Sequence, residues 1–240
     1  MLSVNRHVIL LVSAAALTGL AVVLDRPGKT PVRVSTLRNP SAAANNPLDR
    51  LAWKVPNSAA ANLADAGLYG GPTLPLLLAF HPRARPHYPA ILLAWLENTW
   101  LTFALTSVIK NIANRPRPYV LHPSFDEERQ LLRNDRAAFL SGHAAMAAAG
   151  SGLFAQLAEK IAPNAATEAW LIAGGYTGFT AYLRVRAAKH WPTDAIAGII
   201  LGLSVATAVF ALNEEYIGDD SRQQKQYWAQ PQVQWMIEKR

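Results

Sequence analysis

Apolar runs long enough for helices alternate along the chain with short polar or proline-marked connections. The first run, Val8 to Leu24, spans 17 residues after a weakly positive start at Arg6 and His7, the pattern of a signal peptide or a signal anchor. No small-x-small cleavage site precedes Asp25, which favours an anchor that is retained. Pro27 to Pro56 is rich in Pro, Ala, Asn and basic residues, is punctuated by Asn39-Pro40 and Asn46-Pro47, and reads as a linker. Ser58 to Phe80 predicts a helix, a break at Gly70-Gly71-Pro72 and a second short apolar helix, followed by a polar turn from His81 to His87. Tyr88 to Asn111 predicts a long helix, apolar apart from Glu97, Asn98 and a few hydroxyls. A carboxylate at such a position bonds a neighbouring helix more often than it serves as a buried acid. The helix stops at Arg115-Pro116-Arg117-Pro118, where the prolines forbid continuation.

Pro118 to Phe139 is a polar connection of about twenty residues, a length that suggests a lid or binding loop. Its acidic members, Asp126, Glu127, Glu128 and Asp135, offset Arg129, Arg133 and Arg136 as a solvated face. Ser141 suits the N-cap of the next helix, whose Ala- and Gly-rich body, Ala144 to Ala158, lets another helix approach closely. Glu168 to Arg184 is a further apolar helix with Gly174, Gly175 and Gly178 in its middle. Pro192 has no N–H to leave unpaired and fits the first turn of a last helix that carries the apolar run Ile196 to Leu212. His190 then falls just before that helix and Asp194 in its first turn, where the carboxylate can reach the imidazole. A neutral histidine held in this way is what a histidine nucleophile or base requires. The expected architecture is all-α: a helical bundle with its site at one end. The expected divisions are an anchor or signal segment at 1–27, a linker at 28–57, a helical domain at 58–213 and a polar tail at 214–240 that carries Trp228 and Trp235.

Composition narrows the partners. A chain of 240 residues suits one domain with modest extras. At 51% hydrophobic and 16% charged it is more apolar than an average soluble domain, while a mean hydropathy of +0.08 is low for an ordinary polytopic membrane protein. A formal charge of +7 suggests an anionic partner, whether nucleic acid, acidic lipid or phosphorylated substrate. The lack of cysteine excludes disulfides, thiolate chemistry and Cys-ligated zinc.

The position of the charges chooses among those partners. Four consecutive helices joined by turns run alternately up and down. Lys110 and Arg117, then Ser141, Gly142 and His143, then Arg184, then His190 and Asp194 therefore share one end of the bundle. Cations and imidazoles crowded there are costly unless an anion occupies the centre, and helix N-termini at Gly142 and near Thr193 add N–H donors for it. A phosphate fits, and no nucleic-acid partner is expected.

In that order, Lys110-x6-Arg117-Pro118, Ser141-Gly142-His143 and Arg184-x5-His190-x3-Asp194 resemble the motifs of the type-2 phosphatidic acid phosphatase and vanadium-dependent haloperoxidase superfamily. The match spans Lys110 to Asp194. It departs from the family pattern at Leu140, where the family has Pro, and at Leu183, where it has Ser; the second change removes a hydroxyl expected to face phosphate. The resemblance implies that His190 attacks phosphorus to form a phosphohistidine, that Asp194 orients it, and that His143 protonates the leaving oxygen. Lys110, Arg117, Arg184, Ser141 and the Gly142 backbone would hold the phosphate oxygens. Phosphoryl transfer needs mainly this kind of positioning and charge stabilisation.

The resemblance thus implies a metal-independent phosphoric ester hydrolase without a cofactor, acting on a phosphate monoester or diphosphate and inhibited by vanadate. Three rivals stand beside it. A vanadium haloperoxidase would use vanadate as cofactor, but its members are generally much larger. A zinc enzyme would use His143, His190 and Asp194 as ligands, against the repulsion of the nearby cations. A non-enzymatic basic membrane protein would bind anionic lipid by charge, which leaves the placement of both histidines unexplained. An apolar bundle with an anchor favours a lipid phosphate or diphosphate, such as phosphatidate or isoprenyl diphosphate, over the substrate of a soluble periplasmic phosphatase. The expected location is a bacterial-type inner membrane with the site facing the periplasm. Arg83 and Arg85 at the far end of the long helix agree with the positive-inside bias, whereas Arg26 to Arg38 do not. Ala144–Ala158 and Glu168–Leu183 span about 24 Å as helices against a hydrocarbon core of about 30 Å, so neither is expected to cross it.

Overall fold

In the computed structural model of the chain, residues 2–25, 46–53, 55–126 and 128–217 are described. Most of the expected linker and the tail beyond 217 lie outside the described residues. Among the described residues the apolar runs become six helices: α1 (Leu2–Leu24), α2 (Ser58–Thr73), α3 (Tyr88–Ala113), α4 (Gly142–Ile161), α5 (Ala166–Arg186) and α6 (Pro192–Asn213), with short 3₁₀ turns between them. The fold is all-α.

Helix α4 is the axis of the bundle, buried along most of its length and contacted by α2, α3, α5 and α6. Its small residues make that burial possible. A Cβ on Gly150 would overlap the Gly71 carbonyl of α2, and one on Gly202 of α6 would lie 2.8 Å from the Ala149 nitrogen. The two neighbours thus pack against α4 backbone to backbone, the close approach that alanine and glycine allow. The break expected at Gly70-Gly71-Pro72 does not occur: α2 runs through it to Thr73 before tightening into the 3₁₀ segment Leu74–Phe80. Pro72 sits in the last turn, so it disturbs little of the helix, and the Trp95 indole donates to its carbonyl at 2.8 Å.

Helix α1 lies alongside α3 and points the same way, pinned at three levels. His7 Nδ1 donates to Glu97 at 2.7 Å, the Trp100 indole donates to Thr18 at 3.1 Å, and the Asn111 amide donates to the Ala21 carbonyl at 2.8 Å. The second oxygen of Glu97 accepts from Asn213 of α6 at 2.9 Å, so this carboxylate serves to join helices. Among the described residues, three segments are long and apolar enough to cross a membrane: Arg6–Leu24, Pro82–Leu121 and Pro192–Ile217. Helices α4 and α5 reach 20 and 21 residues, or about 30 Å, longer than their apolar segments suggest. Their length therefore does not prevent spanning; α4 differs from the three candidates in being enclosed by its neighbours.

The glycine contacts generate a prediction. Gly202→Ala should destabilise the protein by about 1–3 kcal/mol through overpacking. Gly174→Ala, where a Cβ meets nothing within 4 Å, should be neutral or stabilising by up to about 1 kcal/mol. Thermal unfolding in detergent reads both, and equal melting temperatures for the two variants would show that backbone contact at α4 is not limiting.

Candidate active site

Four helix ends meet as the alternation of directions requires. Helix α3 ends at Asn114 in the left-handed region, with φ of 47°, a conformation that asparagine tolerates at a helix C-terminus. The chain beyond is fixed by the Arg117 N–H donating to the Asp135 carbonyl at 2.8 Å. The Lys110 ammonium donates to the Ala137 carbonyl at 2.9 Å. Ser141 caps α4, accepting from the Ala144 N–H at 3.4 Å, and its own N–H donates to the Asp194 carbonyl at 2.9 Å, tying the start of α4 to the start of α6. Between these ends lies a cavity of about 630 Å³. One side carries Lys110, Arg117, Gly142, His143, Arg184 and His190; Leu68, Phe103, Leu132 and Met146 make the lining partly apolar. Nε of Arg117 and Nε of Arg184 are buried without a hydrogen-bond partner among the described residues.

Two predicted residues do not line the cavity. Ser141 is wholly buried behind it, its oxygen engaged as the cap. Asp194 is also fully buried, and its carboxylate is not hydrogen-bonded to His190: Oδ2 lies 3.8 Å from Nδ1. The local helix start takes the carboxylate instead, through the Trp191 N–H at 2.8 Å and Arg115 at 2.5 Å. The His190 ring is oriented by the Ala138 carbonyl, 2.7 Å from Nδ1. A carbonyl can only accept, so Nδ1 carries the hydrogen and Nε2 keeps a lone pair. Burial, followed by the charges of Lys110, Arg117 and Arg184, holds the His190 pKa well below the ordinary histidine value. The ring is therefore a neutral potential nucleophile. His143 Nε2 lies 2.9 Å from Asp65 on α2; burial and the Arg184 charge lower this ring to about 4 despite that carboxylate.

Further residues belong to the site's support. Asp49, buried in the stretch that reads as linker, accepts from the Thr193 N–H at 3.1 Å, from the Thr193 hydroxyl at 2.8 Å and from Arg115 at 2.7 Å. Arg115 bridges Asp49 to Asp194 and lies 5.3 Å from the centre of the Trp191 ring. Asp49 is the sole acidic residue between Asp25 and Asp65, and that isolation is the one sequence signal that sets it apart. Asp135 is not part of a solvated face: it is buried, accepting from the Tyr119 hydroxyl at 2.5 Å and from the Leu132 N–H at 2.9 Å. Leu183 packs with Ala60, Ala64 and Ala187 away from the cavity, so its position does not present a side chain to an anion there. No group of three or more His, Asp or Glu residues among the described residues is arranged to hold a metal ion.

The two depressed histidines make stability depend on pH. Below about pH 6.5 the unfolded chain binds protons that both rings resist in the fold, so their contribution is complete above that pH and is lost progressively below it. The predicted slope approaches about 1.4 kcal/mol per pH unit for each ring. The effect should appear as a falling melting temperature from pH 6.5 to 5 and be smaller in His143→Gln. A slope unchanged in that variant would count against a depressed His143.

The PAP2 superfamily sequence profile matches residues 91–217. No curated protein sequence matches the chain significantly. Among solved structures, it resembles the protein described as the first transmembrane PAP2 type phosphatidylglycerolphosphate phosphatase from Bacillus subtilis. That match has a TM-score of 0.54 and 19% identity, and covers 84% of this chain and 96% of the other. At that identity the likeness is one of fold.

Proposed function

Because this chain belongs to the PAP2 superfamily, whose profile covers more than half of it, we propose that it is a metal-independent phosphatase that hydrolyses a lipid phosphate ester through a phosphohistidine. The observation that carries this reading is the cavity itself: Lys110, Arg117 and Arg184 line it together with a buried His190 whose Nδ1 is held by the Ala138 carbonyl and whose Nε2 has no hydrogen-bond partner among the described residues. Phosphate oxygens take the place of the missing counter-charge, with the N–H groups at the start of α4 as further donors. His190 Nε2 attacks phosphorus as the P–O ester bond breaks, and His143, which takes up a proton once the phosphate offsets the nearby cations, gives that proton to the departing oxygen. Water then attacks the phosphohistidine while His143 takes up a proton, releasing phosphate and restoring Nε2. Asp194 supports this step indirectly by capping α6 and fixing Trp191 beside His190. The apolar part of the lining, at the end of segments able to cross a membrane, suits the acyl or prenyl part of a lipid and supports the choice of a lipid ester over a soluble one.

Leaving groups separate the roles of the histidines. His190→Ala should abolish turnover of every phosphate ester. His143→Ala should lose about 10²–10⁴ in rate on an alkyl phosphate, whose oxygen needs a proton, and less on nitrophenyl phosphate. Equal losses on both esters in His143→Ala, with no acid-labile phosphate trapped on the protein, would show that His143 is not the acid.

The site is proposed to face the periplasm. Helices α1 and α3 point the same way, so an N-terminus inside places the Arg117 end outside, and Arg6, Arg83 and Arg85 then lie on the cytoplasmic side. The chain lacks cysteine, so a cysteine at exposed Ser124 can be labelled on a clean background. An impermeant thiol reagent should reach it once the outer membrane is permeabilised; labelling that requires opening the inner membrane would reverse the orientation.

A further inference from the structure

The family profile starts at residue 91, so it is silent on α2. Yet α2 brings its sole charged side chain, Asp65, to the rim of the cavity, with Oδ1 2.9 Å from His143 Nε2. That placement is firmly built. Beside it on α2 the Tyr176 hydroxyl donates to the Ala66 carbonyl and Gly67 packs on Thr180 of α5, and nearly two turns on Gly71 packs on the Ala147 backbone of α4. We propose that Asp65 is a positioning residue for His143: it fixes which ring nitrogen is presented to the leaving oxygen and stabilises the protonated ring that donates to it. This inference rests on the phosphatase reading above.

The argument begins with hydrogen bonding. A carboxylate only accepts, so in the Asp65 pair it is Nε2 that carries a hydrogen. The leaving oxygen must then be served by Nδ1, and Nδ1 can donate only if the ring holds a second proton. Among the described residues, every other charged side chain lining the cavity opposes that proton. Lys110 comes from α3, Arg184 from α5, and Arg117 and Arg133 from the connection between α3 and α4, while His190 brings no negative charge. Asp65 is the carboxylate that favours the charged ring, by hydrogen bond and by charge. Before substrate binds, burial and the cations prevail. An arriving phosphate neutralises the cations, and Asp65 then stands opposite the incoming anion so that the imidazolium is held from both sides. His143 is thereby armed by substrate and stays neutral without it.

Asp65→Asn keeps the shape and can still accept from Nε2–H, but removes the charge. The expected result is a loss of about 10–100-fold in kcat on an alkyl phosphate and a much smaller loss on nitrophenyl phosphate, because proton donation matters for the poorer leaving group. The basic limb of the kcat–pH profile should move to lower pH by about one unit, since the acid loses its proton more readily without its partner. Asp65→Glu should recover much of the activity. Equal losses on both esters with an unmoved pH limb would reduce Asp65 to a structural residue and overturn the proposal. A histidine NMR titration in detergent provides a readout that needs no turnover: His143 should titrate lower in Asp65→Asn than in the unmutated protein, and identical titrations would overturn the inference even in an active phosphatase. If the unmutated protein releases no phosphate from any ester, the phosphatase reading falls and takes this inference with it.

Discussion

Buried positive charge that forms no ion pair among the described residues is the constraint on which the site end depends. Lys110, Arg117 and Arg184 line one cavity, and among the described residues none of them forms an ion pair with a carboxylate. Such a cluster weakens a fold unless something rigid holds it, because like charges repel and burial makes each costly. The rigidity comes from α4, whose alanines and glycines let α2 and α6 close on it at backbone distance. The acidic residues nearby are committed elsewhere: Asp194 and Asp49 to Arg115 and the start of α6, and Asp135 to Tyr119 and Leu132. With those carboxylates hydrogen-bonded to other groups, the cavity stays electropositive and suited to an anion.

The same arrangement sets the two histidines apart. Both lie in a field that disfavours protonation, but they differ in their partners. His190 faces a backbone carbonyl, which fixes a tautomer without adding charge; His143 faces a carboxylate, which does add charge. Two residues of the same type are thereby set in different electrostatic environments.

Much of this is legible in the sequence because the signals are local. Pro116 and Pro118 stop α3, Ser141 caps α4, and Pro192 opens α6. Alternation of helix direction then brings Lys110, Arg117, His143, Arg184 and His190 to one end without further information. The supporting contacts are hidden for physical reasons. The group that orients His190 is the Ala138 carbonyl, and a backbone oxygen has no letter of its own. Asp49 meets Thr193 across 144 positions, and Asp65 meets His143 across 78; no periodicity reports such pairs. Spacing alone puts Asp194 within reach of the imidazole, but an acidic side chain three residues into a helix is nearer to that helix's own N–H groups.

The Glu97 contacts also bear on how the protein is assembled. Its carboxylate lies in a segment apolar enough for lipid, and its partners are separated in time as well as in space: His7 is synthesised before it and Asn213 long after. A polar group in hydrocarbon is costly until it is satisfied. When α3 enters the bilayer, α1 is therefore already there to offer a first partner, and the second arrives with the last helix. The order of synthesis thus gives Glu97 one helix partner before α3 is made, and α6 completes the polar junction among the described helices.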